Sequence, residues 1–189
     1  AEYLAEHYER LEGRVFEKRR FTDMGKRWYE YHRPRDPKLM LSRKRIVSPT
    51  LVRHVRFSLD SVGFLSDHAC LFIQPTDRTH EHFSHFSKQL ASTLARRVTL
   101  DDALKYCLAF LNSGFAQERL IMGRRPTPKG FYAVTEDYLR EIPIPPPRSK
   151  KSTAAILDLV TRLIPATDEA ETARLEKNLG KVVSSLLGG

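Results

Sequence analysis

The sequence predicts an α+β protein: a mixed, mainly β recognition domain with flanking helices, followed by a C-terminal helical pair. Three observations lead there. Between residues 26 and 74, the runs "RWYEYH", "RKRIV", "RHVRFSLD" and "ACLFIQ" are bounded by Pro34, Pro37, Pro49, Gly63 and Pro75, the punctuation of short strands. On either side of that region apolar residues recur at three- and four-residue steps, the period of a helix face. Finally, "IPIPPPRSKKS", residues 142–152, cannot continue a helix or sit in a central strand, because its prolines lack an N–H and fix an extended backbone. It divides a domain of residues 1–147 from a helical hairpin of residues 148–189 that would dock on another domain or subunit.

Along the chain, Tyr3, Leu4, Tyr8, Leu11 and Val15 lie at helical spacings over residues 2–19, interrupted or ended near Gly13. "RWYEYH" then opens the β-rich region and brings Trp28, Tyr29 and Tyr31 to the start of the core. Val55, Phe57 and Leu59 alternate with Arg56 and Ser58, a strand with one basic, exposed face. Phe83, Phe86, Leu90 and Leu94 mark a helix over 80–97. Thr99 reads as an N-cap with Asp102 three positions on, opening a helix whose Leu100, Leu104, Cys107, Leu108 and Leu111 share a face and which ends at "NSG", 112–114. "FAQERLIMGRRPTPKGFYAV" is a Gly- and Pro-punctuated basic segment leading into a short strand at 131–134 and a helical turn at "TEDYLREI". After the prolines, Ile156, Leu159, Val160 and Leu163 mark one amphipathic helix, and Leu175, Leu179, Val182, Val183 and Leu186 a second. Their apolar faces must pack on each other or on a partner.

The 189 residues carry 32 Lys and Arg against 23 Asp and Glu, a net charge of +9. Such a balance favours an anionic partner: nucleic acid, an acidic protein or an anionic surface. Cys70 and Cys107 stand alone in apolar runs without a C-x-x-C spacing, which suits a reducing compartment. No apolar run approaches the ~20 residues of a spanning helix, and the polar N-terminus does not resemble a signal peptide. The expected location is cytoplasmic, with no membrane partner. The chain opens without Met and within a helical pattern, so it is expected to be a piece of something longer.

No phosphate-binding glycine motif, H-E-x-x-H or G-x-S-x-G occurs, and the chain is expected not to be an enzyme. His80, His82 and His85, with Asp60, Asp67 and Asp77, raise the alternative of a metal-dependent nuclease. The histidines lack a nearby Cys or carboxylate as third ligand, and no Glu-x-Lys accompanies the aspartates, so they read as a polar helix face and turn acids. The basic clusters carry more: Arg33, Arg35, Arg43, Lys44, Arg124, Arg125 and Lys129 are the candidate DNA contacts. Cations neutralise phosphates, and arginine also forms a two-pronged hydrogen bond with a guanine edge. Arg124 and Arg125 lie on a Gly/Pro loop that can enter a groove and are assigned to base reading; Arg43 and Lys44 open a strand and are assigned to phosphate anchoring. If Lys44 and Arg45 both lie on that strand they point to opposite faces, so at most one touches DNA. A basic protein-interaction module is the other alternative.

Five segments in order, "RWYEYHRPRD" after the first helix, "RKRIVSP", "RFSLDSVGFLSDHACLFI", "ALKYCLAFLNSGF" and "GFYAVTEDYLREIPIPPP", resemble the TaqI-like C-terminal specificity domain. This family is the target-recognition module of N6-adenine DNA methyltransferases and type IIG restriction-modification enzymes. The resemblance covers roughly residues 3–147; the 76–98 segment is longer than the corresponding connection. It implies duplex DNA as partner and a methyltransferase or nuclease domain or subunit beside it. It also implies that S-adenosylmethionine belongs to that catalytic half, since neither the glycine motif nor the Asn-Pro-Pro-aromatic motif occurs here.

Overall fold

The computed structural model describes residues 5–16, 18–25, 27, 44–63, 70–75, 80–122 and 124–188, and the chain divides into two compact units, residues 1–40 and 41–189. In the first unit, helix α1 (Tyr8–Glu12) is followed by strands β1 (Val15–Phe16) and β2 (Arg19–Arg20), paired antiparallel, and a 3-10 turn (Thr22–Met24). The helix expected over 2–19 therefore stops at Gly13. Glycine is a poor helix former, and the β-branched and aromatic pair behind it favours a strand. Phe21 is buried beneath Arg14, whose guanidinium carbon lies 4.3 Å from the ring centre and whose Nε donates to the Leu11 carbonyl at 3.1 Å. Gly25, at φ 71°, closes the turn in a conformation that suits glycine.

In the second unit, β3 (Arg45–Pro49) is the central strand of an antiparallel sheet between β5 (Ser58–Asp60) and β6 (Cys70–Ile73), with Ile46 opposite both Leu59 and Ile73. Arg45, Ile46, Val47 and Ser48 are all buried, as a central strand covered on both faces requires. After Thr50 the chain switches sheets: β4 (Leu51–Val52) pairs antiparallel with β7 (Tyr132–Ala133). The alternation through Val55 and Phe57 is realised as strand only from Ser58 on.

Helices supply the rest: α2 (His80–Leu94), α3 (Leu100–Leu111), α4 (Gly114–Ile121), α5 (Glu136–Arg140), α6 (Lys150–Leu163) and α7 (Glu169–Leu187). The class is α+β with C-terminal helices, as expected, and helix outweighs strand among the described residues. No described helix is long and apolar enough to cross a membrane. At the start of α3 the expected cap is complete: Thr99 Oγ1 accepts from Asp102 N–H at 3.2 Å and Asp102 Oδ2 accepts from Thr99 N–H at 2.9 Å. Helix α3 is the hub, burying Leu104, Tyr106, Leu108, Phe110 and Leu111 and packing on β3, β5, α2, α4, α6 and α7. Helix α4 was not expected. Gly114 reads as a terminator, but Ser113 Oγ accepts from Ala116 N–H at 3.2 Å and restarts a helix at once.

The proline-rich segment is not a linker to a separate tail. Proline carbonyls still accept hydrogen bonds, and two are fastened to helices: Tyr106 Oη donates to Pro145 O and Thr93 Oγ1 to Pro147 O, each at 3.2 Å. Beyond this strap α6 packs on α2 and α3 through the core that holds Ile156, Leu157 and Val160, and α7 adds Leu179 and Val183. By compactness the chain divides between Met40 and Leu41, and residues 148–189 fall in the second unit. The apolar faces of the helical pair are covered by the chain's own core.

Candidate nucleic-acid interface

"TPKGF", residues 127–131, folds on itself before entering β7. Gly130 N–H donates to Thr127 O at 2.8 Å, Thr127 N–H to Phe131 O at 2.8 Å, and Phe131 N–H to Thr127 Oγ1 at 3.1 Å. Pro128 fixes the first corner, and Gly130 at φ 76° takes the left-handed position that closes so short a hairpin. Lys129 is left exposed at the tip. From the segment after β4, Arg53 Nη2 donates to the Lys129 carbonyl at 3.3 Å, and its guanidinium carbon lies 4.8 Å from the Phe131 ring centre. Leu51, Thr127, Pro128, Lys129 and Phe131 line a cavity of about 380 Å³ beside it, with Leu51 51 % exposed.

Of the sequence-assigned contacts, Lys129 sits in this loop and Arg125 two residues before it; both are exposed and neither has an ion pair among the described residues. Arg124 does not share their freedom: its Nη2 is 3.0 Å from Glu141 Oε1 and its guanidinium carbon 5.2 Å from the Tyr138 ring centre. Lys44 is exposed at φ 63° just before β3, so it lies outside the strand, and β3 alone separates it from β4 by about 17 Å of strand rise. Arg33, Arg35 and Arg43, with Trp28, Tyr29 and Tyr31, lie outside the described residues. Arg53 was missed. Its partners Lys129 and Phe131 come from far along the chain, and no local spacing couples them.

Two couplings fix the segments on either side of β4. Arg45 Nε and Asp60 Oδ2 meet at 2.9 Å with side chains 0 % and 2 % exposed, and the guanidinium lies 3.9 Å over Phe72. Asp60 Oδ1 also accepts from Val62 N–H at 3.1 Å and from Gly63 N–H at 2.8 Å, with Gly63 at φ 82°. Burial pushes the Asp60 carboxyl up, but the Gly63 N–H, Arg45 and the Val62 N–H outweigh it and hold the group below its ordinary range. The turn acid read from the sequence is therefore also a buried ion partner. The second coupling replaces a missing strand: Asn112 Oδ1 accepts from Phe57 N–H and Asn112 Nδ2 donates to Phe57 O, both at 2.8 Å, while Gln117 Oε1 accepts from Val55 N–H at 2.7 Å. Segment 53–57, which carries Arg53, is clamped to α3 and α4 by side-chain amides.

The nuclease alternative gains no geometry. His82 and His85 are exposed on α2, His85 Nε2 lying 3.0 Å from Gln89 Nε2, and no group of three possible metal ligands occurs among the described residues. Asp67 and Asp77 lie outside the described residues. Burial pushes the Cys107 thiol up to about 12, so it is protonated and inert. No protein-family model matches the chain and no curated protein matches it, so the resemblance rests on its motifs and the interface on its geometry.

Proposed function

We propose that this chain is the duplex-DNA recognition module of a restriction-modification or adenine-methyltransferase system, acting in the cytoplasm and presenting target sequences to a catalytic domain outside the chain. One observation carries the reading: a hairpin tip that combines exposed Lys129 with Arg53 and an apolar notch, with exposed Arg125 two residues before the turn, in a chain of net charge +9. Cations supply phosphate affinity that is indifferent to sequence; a rigid tip able to enter a groove supplies base contact. The motif residues support it, because Arg45 with Asp60, and Phe57 with Asn112, hold each other and fix the segments on either side of β4. Arg33, Arg35, Arg43 and Lys44 serve this reading as further backbone contacts. Methyl transfer and its S-adenosylmethionine belong to the partner domain.

The test is enrichment of the purified chain's ligands from a pool of random-sequence 30-base-pair duplexes. A consensus sequence is the expected result. Binding without any sequence enrichment would reduce the chain to a basic surface and sink the recognition reading.

A further inference from the structure

We propose that the notch at the hairpin tip reads the 5-methyl group of thymine, and so that the tip enters the major groove; this rests on the DNA reading above. Phosphate binding accounts for exposed Lys129 and Arg125 but not for the apolar hollow beside Lys129. Leu51 is 51 % exposed and, with Thr127, Pro128, Lys129 and Phe131, lines an open, mainly apolar hollow of about 380 Å³. Such a lining gains from an apolar partner and repels phosphate oxygens. Duplex DNA offers one apolar group on its base edges, the thymine methyl, and offers it only in the major groove.

The notch is built to keep its shape. Gly130 and Thr127 close the turn, β4–β7 pairing fixes Leu51 opposite Ala133, and Arg53 ties the Lys129 carbonyl to the Phe131 ring. Arg53 is thus a positioning residue for the notch, while Leu51 makes the contact. Lys129 and Arg53 give the notch a cationic surround that draws a phosphate backbone, and the apolar wall selects within it.

The experiment uses the duplex enriched from the random pool, resynthesised with uracil in place of thymine at each position in turn, which deletes only the methyl. Wild-type chain should lose about fourfold in affinity at one or more positions, the equilibrium equivalent of one buried methyl group. Leu51→Ser should bind the thymine duplex about fourfold more weakly and show no loss on uracil substitution, with thermal unfolding unchanged because Leu51 is half exposed. Arg53→Lys loses the fork that ties the Lys129 carbonyl to the Phe131 ring and should blur the thymine preference. If wild type binds every uracil duplex as tightly as the parent, or if folded Leu51→Ser keeps the preference, the methyl-reading proposal is overturned while DNA recognition stands. If no duplex is enriched, both fall.

Discussion

Asp60 accepts hydrogen bonds from Arg45, Val62 and Gly63 while almost wholly buried, so its removal takes the carboxylate from a guanidinium with 0 % exposure. Asp60→Ala should destabilise the second unit by about 3–5 kcal/mol in urea unfolding; a loss under about 1 kcal/mol would show the pair to be dispensable. Asp102 makes the complementary case nearer the surface. The Arg96 guanidinium, against the opposing effect of burial and with help from Thr99 N–H and Oγ1, holds its carboxyl at about 2. A carboxylate with a lowered folded pKa contributes stability that is fully present above its unfolded value and lost as pH falls through the folded one. Stability should therefore decline from about pH 4 toward pH 2, and Asp102→Ala should flatten that part of the profile in thermal melts at stepped pH. The two carboxylates also differ in legibility. Thr99 and Asp102 are three residues apart and announce a cap, whereas Asp60 finds Arg45 only through strand pairing.

Elements whose apolar residues repeat at helical steps were legible: α2, α3, α6 and α7 lie where Phe86, Leu104, Val160 and Leu179 place them. What failed depended on partners elsewhere. The β1–β2 hairpin lies inside a window with helical spacing, and α4 begins at a glycine that ordinarily ends a helix. Segment 53–57 alternates like a strand yet is held by the amides of Asn112 and Gln117. Asn112→Ala leaves the N–H and C=O of Phe57 without those bonds, and should cost about 1–2 kcal/mol, with faster amide exchange confined to this segment. The proline strap was misread for the same reason: the acceptors it offers α2 and α3 are backbone carbonyls, on which sequence pattern is silent. A chain truncated after Pro147 would expose the core faces of α2 and α3. It should lack a cooperative thermal transition; a melt matching the full chain would show the helical pair to be a separate module after all.

At the scale of the whole molecule, the +9 charge named an anionic partner without choosing one, and the candidate site was legible only in part. Arg125 and Lys129 were read from the Gly and Pro that mark their segment, whereas Arg53 and Leu51 reach Lys129 and Phe131 only through the β4–β7 pairing and the fold of the hairpin. Arg124, adjacent to Arg125 in sequence, turns to Glu141 instead. The proposed duplex recognition would depend on a few exposed cations, and it predicts a definite salt signature. The most direct test is the affinity of wild type and of the double variant Arg125→Ala/Lys129→Ala for one 30-base-pair duplex across a range of salt concentrations. Log affinity should fall linearly with log salt for wild type, and the double variant should show a slope shallower by about 1.8, the counterion release of two phosphate contacts. A wild-type affinity that ignores salt, or a double variant with an unchanged slope, would contradict the account.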